Sequence, residues 1–310
     1  MKKWFIRIII ICVLLLAISI YIFIPAQLTF SESVLSQANS KAAYRCLTDK
    51  NQWQQLFGKP VTENTFNYNG AQYIINEKTI DGLVVHIKDG DTSTKGVIRI
   101  LPLANDSSAI VWESSVSTGL NPVKKMNLFF YRKETTENMA GILENIKHYL
   151  NKEENLYDGL QISKEKIKDS MLIALKSTYK FYPDYESIYE TINKLQQYAT
   201  QKGAHVTNYT MLNITKFDSA DYQAMVAIPI SKEIKATGNM ELKNLILGNI
   251  LVTKITGGTA TILNAEKAME NYLNDHDLES PGISYQSLIT NRITEKDTAK
   301  WITKLNFPIY

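Results

Sequence analysis

With 310 residues, 45% hydrophobic and 21% charged, the chain has the composition of folded domains and carries no disordered or low-complexity tract. The excess of 34 basic over 31 acidic residues equals Lys2, Lys3 and Arg7 at the amino terminus, so the remainder is neutral and offers nucleic acid no electrostatic footprint. Two cysteines, Cys12 in an apolar run and Cys46 in a predicted helix, exclude a disulfide framework, and Cys46 reads as a core thiol.

The first element is apolar. From Ile8 to Ile24 only Ser19 interrupts the run, which approaches the roughly 20 residues a bilayer span needs and predicts a transmembrane helix over 5–25. Trp4 and Tyr21 stand near its ends, where amphipathic aromatics favour the interface, and basic residues precede it while none follows until Lys41. The positive-inside rule then keeps the amino terminus cytoplasmic and places everything beyond Pro25 outside, in a bacterial cell membrane. A cleaved signal peptide fits less well, because "FIPAQLTF" lacks a small-residue cleavage site.

Next comes a predicted α+β domain over 27–152. "QLTFSESVLSQA" reads as a strand, and the stretch from Asn39 or Ser40, either of which can cap a helix, to Gly58 as one or two short helices. Beyond Thr65 the period changes to that of strands, with an Asn69-Gly70 hairpin signal and further strands at "KGVIRILPL", "SAIVWESSV" and "KMNLFFYRKE". A helix capped by Thr135 or Thr136 then aligns Ile142, Ile146, Tyr149 and Leu150 on one face. This order, with "NQWQQLF" after the first helix and "GILENIKHYL" at the end, resembles the SRPBCC or START-like helix-grip fold. The resemblance implies a sheet wrapped around the last helix and a cavity for an apolar molecule, which Trp112, Phe129 and Tyr131 would fill if it is closed. No residue of this half stands out as catalytic.

The polar stretch 153–168 reads as a linker. After it, 169–310 contains an internal echo: Ile228-Pro229-Ile230 matches Phe307-Pro308-Ile309. Each half has a strand, then an amphipathic helix (Ile188, Ile192, Leu195 and Ala199 on one face; Ala265, Met269, Tyr272 and Leu273 on the other's), then two strands. Two such strand-helix-strand-strand units make a sheet with helices on one face and a concave cleft on the other.

The duplication, the segment "YPDYESIYETINKLQQY" and the ending "WITKLNFPI" resemble the GyrI-like domain, the effector-binding module also attached to AraC-type and MerR-type regulators. That resemblance implies a cleft for hydrophobic or aromatic small molecules, with ligand-binding positions at Tyr185, Gln286, Trp301 and Lys304. Lys304 stands where the family usually carries a cleft glutamate, and Gln286 corresponds to a second family carboxylate. The missing carboxylate removes the basis for cation binding and for the hydrolase chemistry described for some members. An unpaired ammonium in a cleft is costly, so Lys304 implies an anionic or polar ligand or an internal acidic partner, unless it snorkels to solvent. Tyr185 either stacks on a ligand or packs the start of its helix.

Other chemistry finds no motif. The four histidines are scattered without metal-ligand spacing, no nucleophile elbow, phosphate loop or dinucleotide fingerprint occurs, and no cofactor is implied. The expectation is a membrane-anchored protein that binds a hydrophobic small molecule, has no DNA-binding module and is not an enzyme. The alternatives are a hydrolase or cyclase-like enzyme acting on an apolar compound, and a structural partner-binding module.

Overall fold

A computed structural model describes residues 2–90, 92–168, 171–217 and 221–310, and within the first helix it leaves out the side chains at 2, 3, 6, 9, 13, 16 and 17. The expected domain start at 169 and the side chains of Lys2 and Lys3 therefore lie outside the described residues. The chain divides into two compact units, Met1–Leu156 and Tyr157–Tyr310, each with its own antiparallel sheet, which makes the protein α+β.

The first unit begins with helix α1 (Lys2–Phe23), where Trp4, Phe5, Ile10, Leu14 and Ile22 are exposed while Ile20 packs against Ile24, Leu28 and Leu128. Among the described residues, no helix is long and apolar enough to cross a membrane. Strand β1 (Gln27–Ser36) follows, then α2 (Ser40–Thr48), capped by the Asn39 side chain accepting from Ala42 N, and the short α3 (Trp53–Phe57). Strands β2 (Lys59–Thr62), β3 (Thr65–Tyr68), β4 (Ala71–Lys78), β5 (Gly82–Asp89), β6 (Thr92–Leu103) and β7 (Ser107–Ser117) complete a seven-stranded sheet of order β1-β7-β6-β5-β4-β3-β2. The β3–β4 hairpin turns on Asn69 and Gly70, both at positive φ, as a tight two-residue loop requires.

One expected strand is absent. Residues 125–134 belong instead to α4 (Pro122–Leu150), a single helix of 29 residues. Asn121 caps it by accepting from Val123 N and Lys124 N, and Pro122 occupies the first turn, where its missing N–H costs nothing. A short apolar run does not distinguish strand from helix, and here the cap and the proline decide. Phe129 consequently lies 46% exposed and does not fill the interior, whereas Trp112 is fully buried against Tyr73, their ring centres 5.7 Å apart. Near the start of α4, the buried Lys125 donates from Nζ to Ile24 O at 2.5 Å, holding the chain just beyond α1. Helix α5 (Glu153–Leu156) ends the unit.

The second unit starts inside the expected linker: β8 (Ser163–Lys166) pairs with β13 (Asn249–Thr256). Between them come β9 (Met171–Tyr179), α6 (Tyr185–Gln201), β10 (Met211–Lys216), β11 (Tyr222–Pro229) and β12 (Met240–Asn244). After β13 follow α7 (Thr259–Asp275), β14 (Tyr285–Leu288) and β15 (Ile302–Ile309). The eight strands order as β12-β9-β11-β10-β14-β15-β13-β8, symmetric about the β10–β14 pair. The echoed prolines, Pro229 and Pro308, occupy corresponding positions in β11 and β15.

Both helices cover one face of this sheet. Under α6 pack Ile173, Leu175, Leu212, Val226 and Ile228, and under α7 pack Leu251, Ile255, Leu305, Phe307 and Ile309. Because side chains alternate along a strand, their neighbours face the other way, where Leu172, Ala174, Met211 and Ala227 form a smaller apolar cluster with Tyr285.

Candidate functional site

Register places a polar gap between the two helix-side cores. Leu212 of β10, Gln286 of β14 and Leu305 of β15 are direct partners across three strands, so Gln286 sits between the α6 core and the α7 core. It is 3% exposed and donates from Nε2 to Glu266 Oε1 of α7 at 3.0 Å.

Arg292 enters the same gap from the segment joining β14 to β15. That segment is pinned at several points: Thr290 Oγ1 accepts from Ile302 N, Asn291 Oδ1 from Ile293 N, and Trp301 Nε1 donates to Glu295 O. The backbone N of Arg292 itself donates to the hydroxyl of Tyr189 on α6 at 2.9 Å. Its side chain is 3% exposed; Nη2 donates to Thr303 Oγ1 at 2.8 Å and, more weakly, to Gln286 Oε1 at 3.4 Å.

Aromatic rings form the rest of the wall. The guanidinium carbon lies 4.7 Å from the Tyr185 ring centre and 5.2 Å from that of Trp301, within cation–π range, and those two rings meet edge to face at 4.9 Å. Tyr185 begins α6, and its hydroxyl shares a hydrogen bond with Thr259 Oγ1 at the start of α7. Nε and Nη1 of Arg292 are buried without a partner among the described residues.

Electrostatics follow from burial. Desolvation pushes the Glu266 carboxyl up, with Glu270 adding to the rise, while the bond from Gln286 and the Arg292 charge oppose it. Burial likewise pushes the hydroxyl of Tyr182 above the ordinary tyrosine range, with Tyr185 and Glu266 adding to the rise. The site offers a permanent cation with free N–H groups, a carboxyl biased toward its protonated form, and aromatic surface.

Three of the four residues singled out from the sequence, Tyr185, Gln286 and Trp301, converge here. Lys304 does not. It pairs in register with Ser287, one residue out of phase with Gln286, and so faces the open side of the sheet, where its Nζ meets Glu165 Oε2 at 2.8 Å. Of the expected ligand positions, Lys304 alone lies on the face away from the helices, where the cleft is expected; Tyr185, Gln286 and Trp301 gather on the helix side. Sequence reasoning passed over Arg292 and Glu266, which carry no motif. Among the described residues no group of three or more His, Cys, Asp or Glu is placed to hold a metal.

No protein-family model matches the chain, and no curated relative matches it. In structure it is similar to the EcmrR C-terminal domain, at 14% identity and a TM-score of 0.43, over 49% of this chain and 98% of that one. It is similar to a hydrolase from Listeria innocua at 12% identity and a TM-score of 0.36, over 47% and 91% of the two chains. A putative bacterial transcription regulation protein from Staphylococcus aureus MU50 matches at 13% identity and a TM-score of 0.31, over 49% and 99%. None of these similarities bears on what this chain binds or does.

Proposed function

We propose that the protein is a membrane-anchored small-molecule-binding protein whose second unit, a GyrI-like module, takes an aromatic ligand with a hydrogen-bond acceptor between α6 and α7. The observation that carries this reading is Arg292: buried beside two aromatic rings, with Nε and Nη1 lacking acceptors. A permanently charged guanidinium with unmet donors is costly in a protein interior, and a ligand acceptor relieves that cost. The strand order of the first sheet and its long closing helix support the helix-grip reading of residues 27–152. The anchor rests on the Ile8–Ile24 run and on the flanking charges, which also favour both units lying outside the cytoplasm.

The test is a thermal-shift screen of the full chain with aromatic carbonyl compounds and acids, followed by titration of any stabilising compound into Tyr185→Ala and Arg292→Met. Affinity at least tenfold weaker in both variants is expected. A compound that binds both variants as it binds the wild type would place the ligand elsewhere. One observation favours an enzyme as the second reading: Glu266, held toward its protonated form inside the site, has the character of a general acid. Turnover of a bound ester or strained ring that disappears in Glu266→Gln would establish it.

A further inference from the structure

On the opposite, open face of the second sheet, two cavities run into one another. One, of about 470 Å³, is walled by Leu172, Met211, Met225, Leu247, Tyr285 and Pro308. The other, of about 460 Å³, shares Met211, Tyr285, Ile167 and Leu245 with it but is lined in addition by Lys166, Lys168, Lys254 and Lys304. Among the described residues lining this second cavity, Glu165 is the only carboxylate.

Register explains the join. Lys254 of β13, Lys304 of β15, Ser287 of β14 and Met211 of β10 are successive direct partners, so one cross-strand row runs from ammonium groups through a hydroxyl to an apolar side chain. The next row, Val252, Asn306 and Tyr285, carries no charge and runs from an apolar side chain through an amide to an aromatic ring. Like charges directly opposite one another destabilise an antiparallel pair. Lys304 is relieved by Glu165, whereas no ion pair to Lys254 occurs among the described residues. A sheet that tolerates this repulsion beside an apolar hollow is matched to an occupant bringing a negative charge to the lysines and a hydrocarbon body to the methionines.

We propose that this open face binds a single-chain anionic amphiphile, its carboxylate or phosphate head between Lys254 and Lys304 and its chain in the hollow lined by Leu172, Met211 and Met225. Each cavity falls within the range typical of small-ligand sites, and the positive rim selects an anion from other amphiphiles of equal length. The site is separate from the Arg292 cluster, which lies on the other side of the sheet, and it stands whether or not that cluster binds anything.

The experiment uses the full chain in phosphatidylcholine nanodiscs with a diazirine-bearing dodecanoate, labelled peptides being located by mass spectrometry. Labels are expected within residues 208–227 and 281–310. Dodecanoate and dodecyl phosphate should compete, and dodecyltrimethylammonium should not. Lys254→Glu combined with Lys304→Glu should cut specific labelling at least tenfold, and Met225→Trp should abolish it by filling the hollow. Should those variants fold poorly, Glu165→Gln, a change at an exposed carboxylate, should strengthen labelling two- to threefold. Labels confined to the first unit or to the Tyr185 side, equal competition by the cationic amphiphile, or an unchanged Glu165→Gln variant would each overturn the proposal. Labelling that requires phosphatidylglycerol in the disc would make the occupant a membrane surface, and the proposal would fail on that result too.

Discussion

The Arg292 guanidinium carbon lies 4.7 Å from the centre of the Tyr185 ring, yet the ring supplies no acceptor for the two nitrogens of Arg292 that lack one. The pair is attractive as a cation over a π face and unsatisfied as a donor set. Replacing a buried charge by an apolar side chain of similar volume is commonly neutral or stabilising. Arg292→Met is therefore expected to leave stability unchanged or to raise it by up to about 2 kcal/mol in urea denaturation. Thr303→Val, which removes the best acceptor and keeps the charge, should lower stability by about 1 to 3 kcal/mol. A large loss in Arg292→Met would show that the guanidinium is there to hold the fold.

Glu266 gives the site a pH dependence of defined sign. Burial raises its folded-state pKa above the ordinary glutamate value, so the folded chain holds this proton more tightly than the unfolded one. The resulting stabilisation is complete below the unfolded pKa and is lost as pH rises through the folded one. Near neutrality the ionised carboxyl costs stability that an amide does not. Glu266→Gln should melt at a higher temperature than wild type at pH 7 to 8, and the difference should shrink steadily as pH approaches 4. Opposite shifts elsewhere, such as the lowered pKa of the helix-capping Asp184, are common to both proteins and cancel in the comparison. A difference that grew on acidification would contradict the raised pKa.

These two residues also mark how far the sequence could be read. Helical spacing identified the buried stripes of α6 and α7. That Gln286 and Lys304 face opposite sides of the sheet depends on register between β14 and β15, a long-range relation that no single strand encodes. Arg292 stands in a loop without periodicity, and its burial follows from the pinning of residues 290–301. In the first unit "KMNLFFYRKE" matched a strand as a pattern, while the cap that makes it helical stands four residues earlier, at Asn121.

That cap can be tested directly. Asn121 accepts from Val123 N and Lys124 N, meeting two of the donors a helix start leaves over. Asn121→Ala should cost about 1 kcal/mol in the first unit's unfolding transition and speed hydrogen exchange over the first turn of α4. Asn121→Asp, which keeps an acceptor and adds a charge that suits a helix amino terminus, should cost nothing. Equal losses in both variants would mean that Pro122 and packing, not the cap, set where α4 begins.

Lys125 tests the junction between the amino-terminal helix and the first unit. Its side chain is buried, its Nζ donates to Ile24 O, and the ammonium lies 5.0 Å from the centre of the Tyr21 ring. The charge thus meets the carboxyl end of the chain leaving α1, where helix dipoles favour cations. Lys125→Met keeps the length of the side chain and removes both the donor and the charge, leaving the Ile24 carbonyl without this partner. The expected cost is about 1 to 3 kcal/mol, expressed as faster hydrogen exchange over residues 20–28. The melting transition of the second unit should stay unchanged, because Lys125 belongs wholly to the first. Lys125→Arg retains a cation and donors and should recover most of the protection. If methionine protects the junction as well as lysine does, apolar packing of Ile24, Leu28 and Leu128 alone holds it.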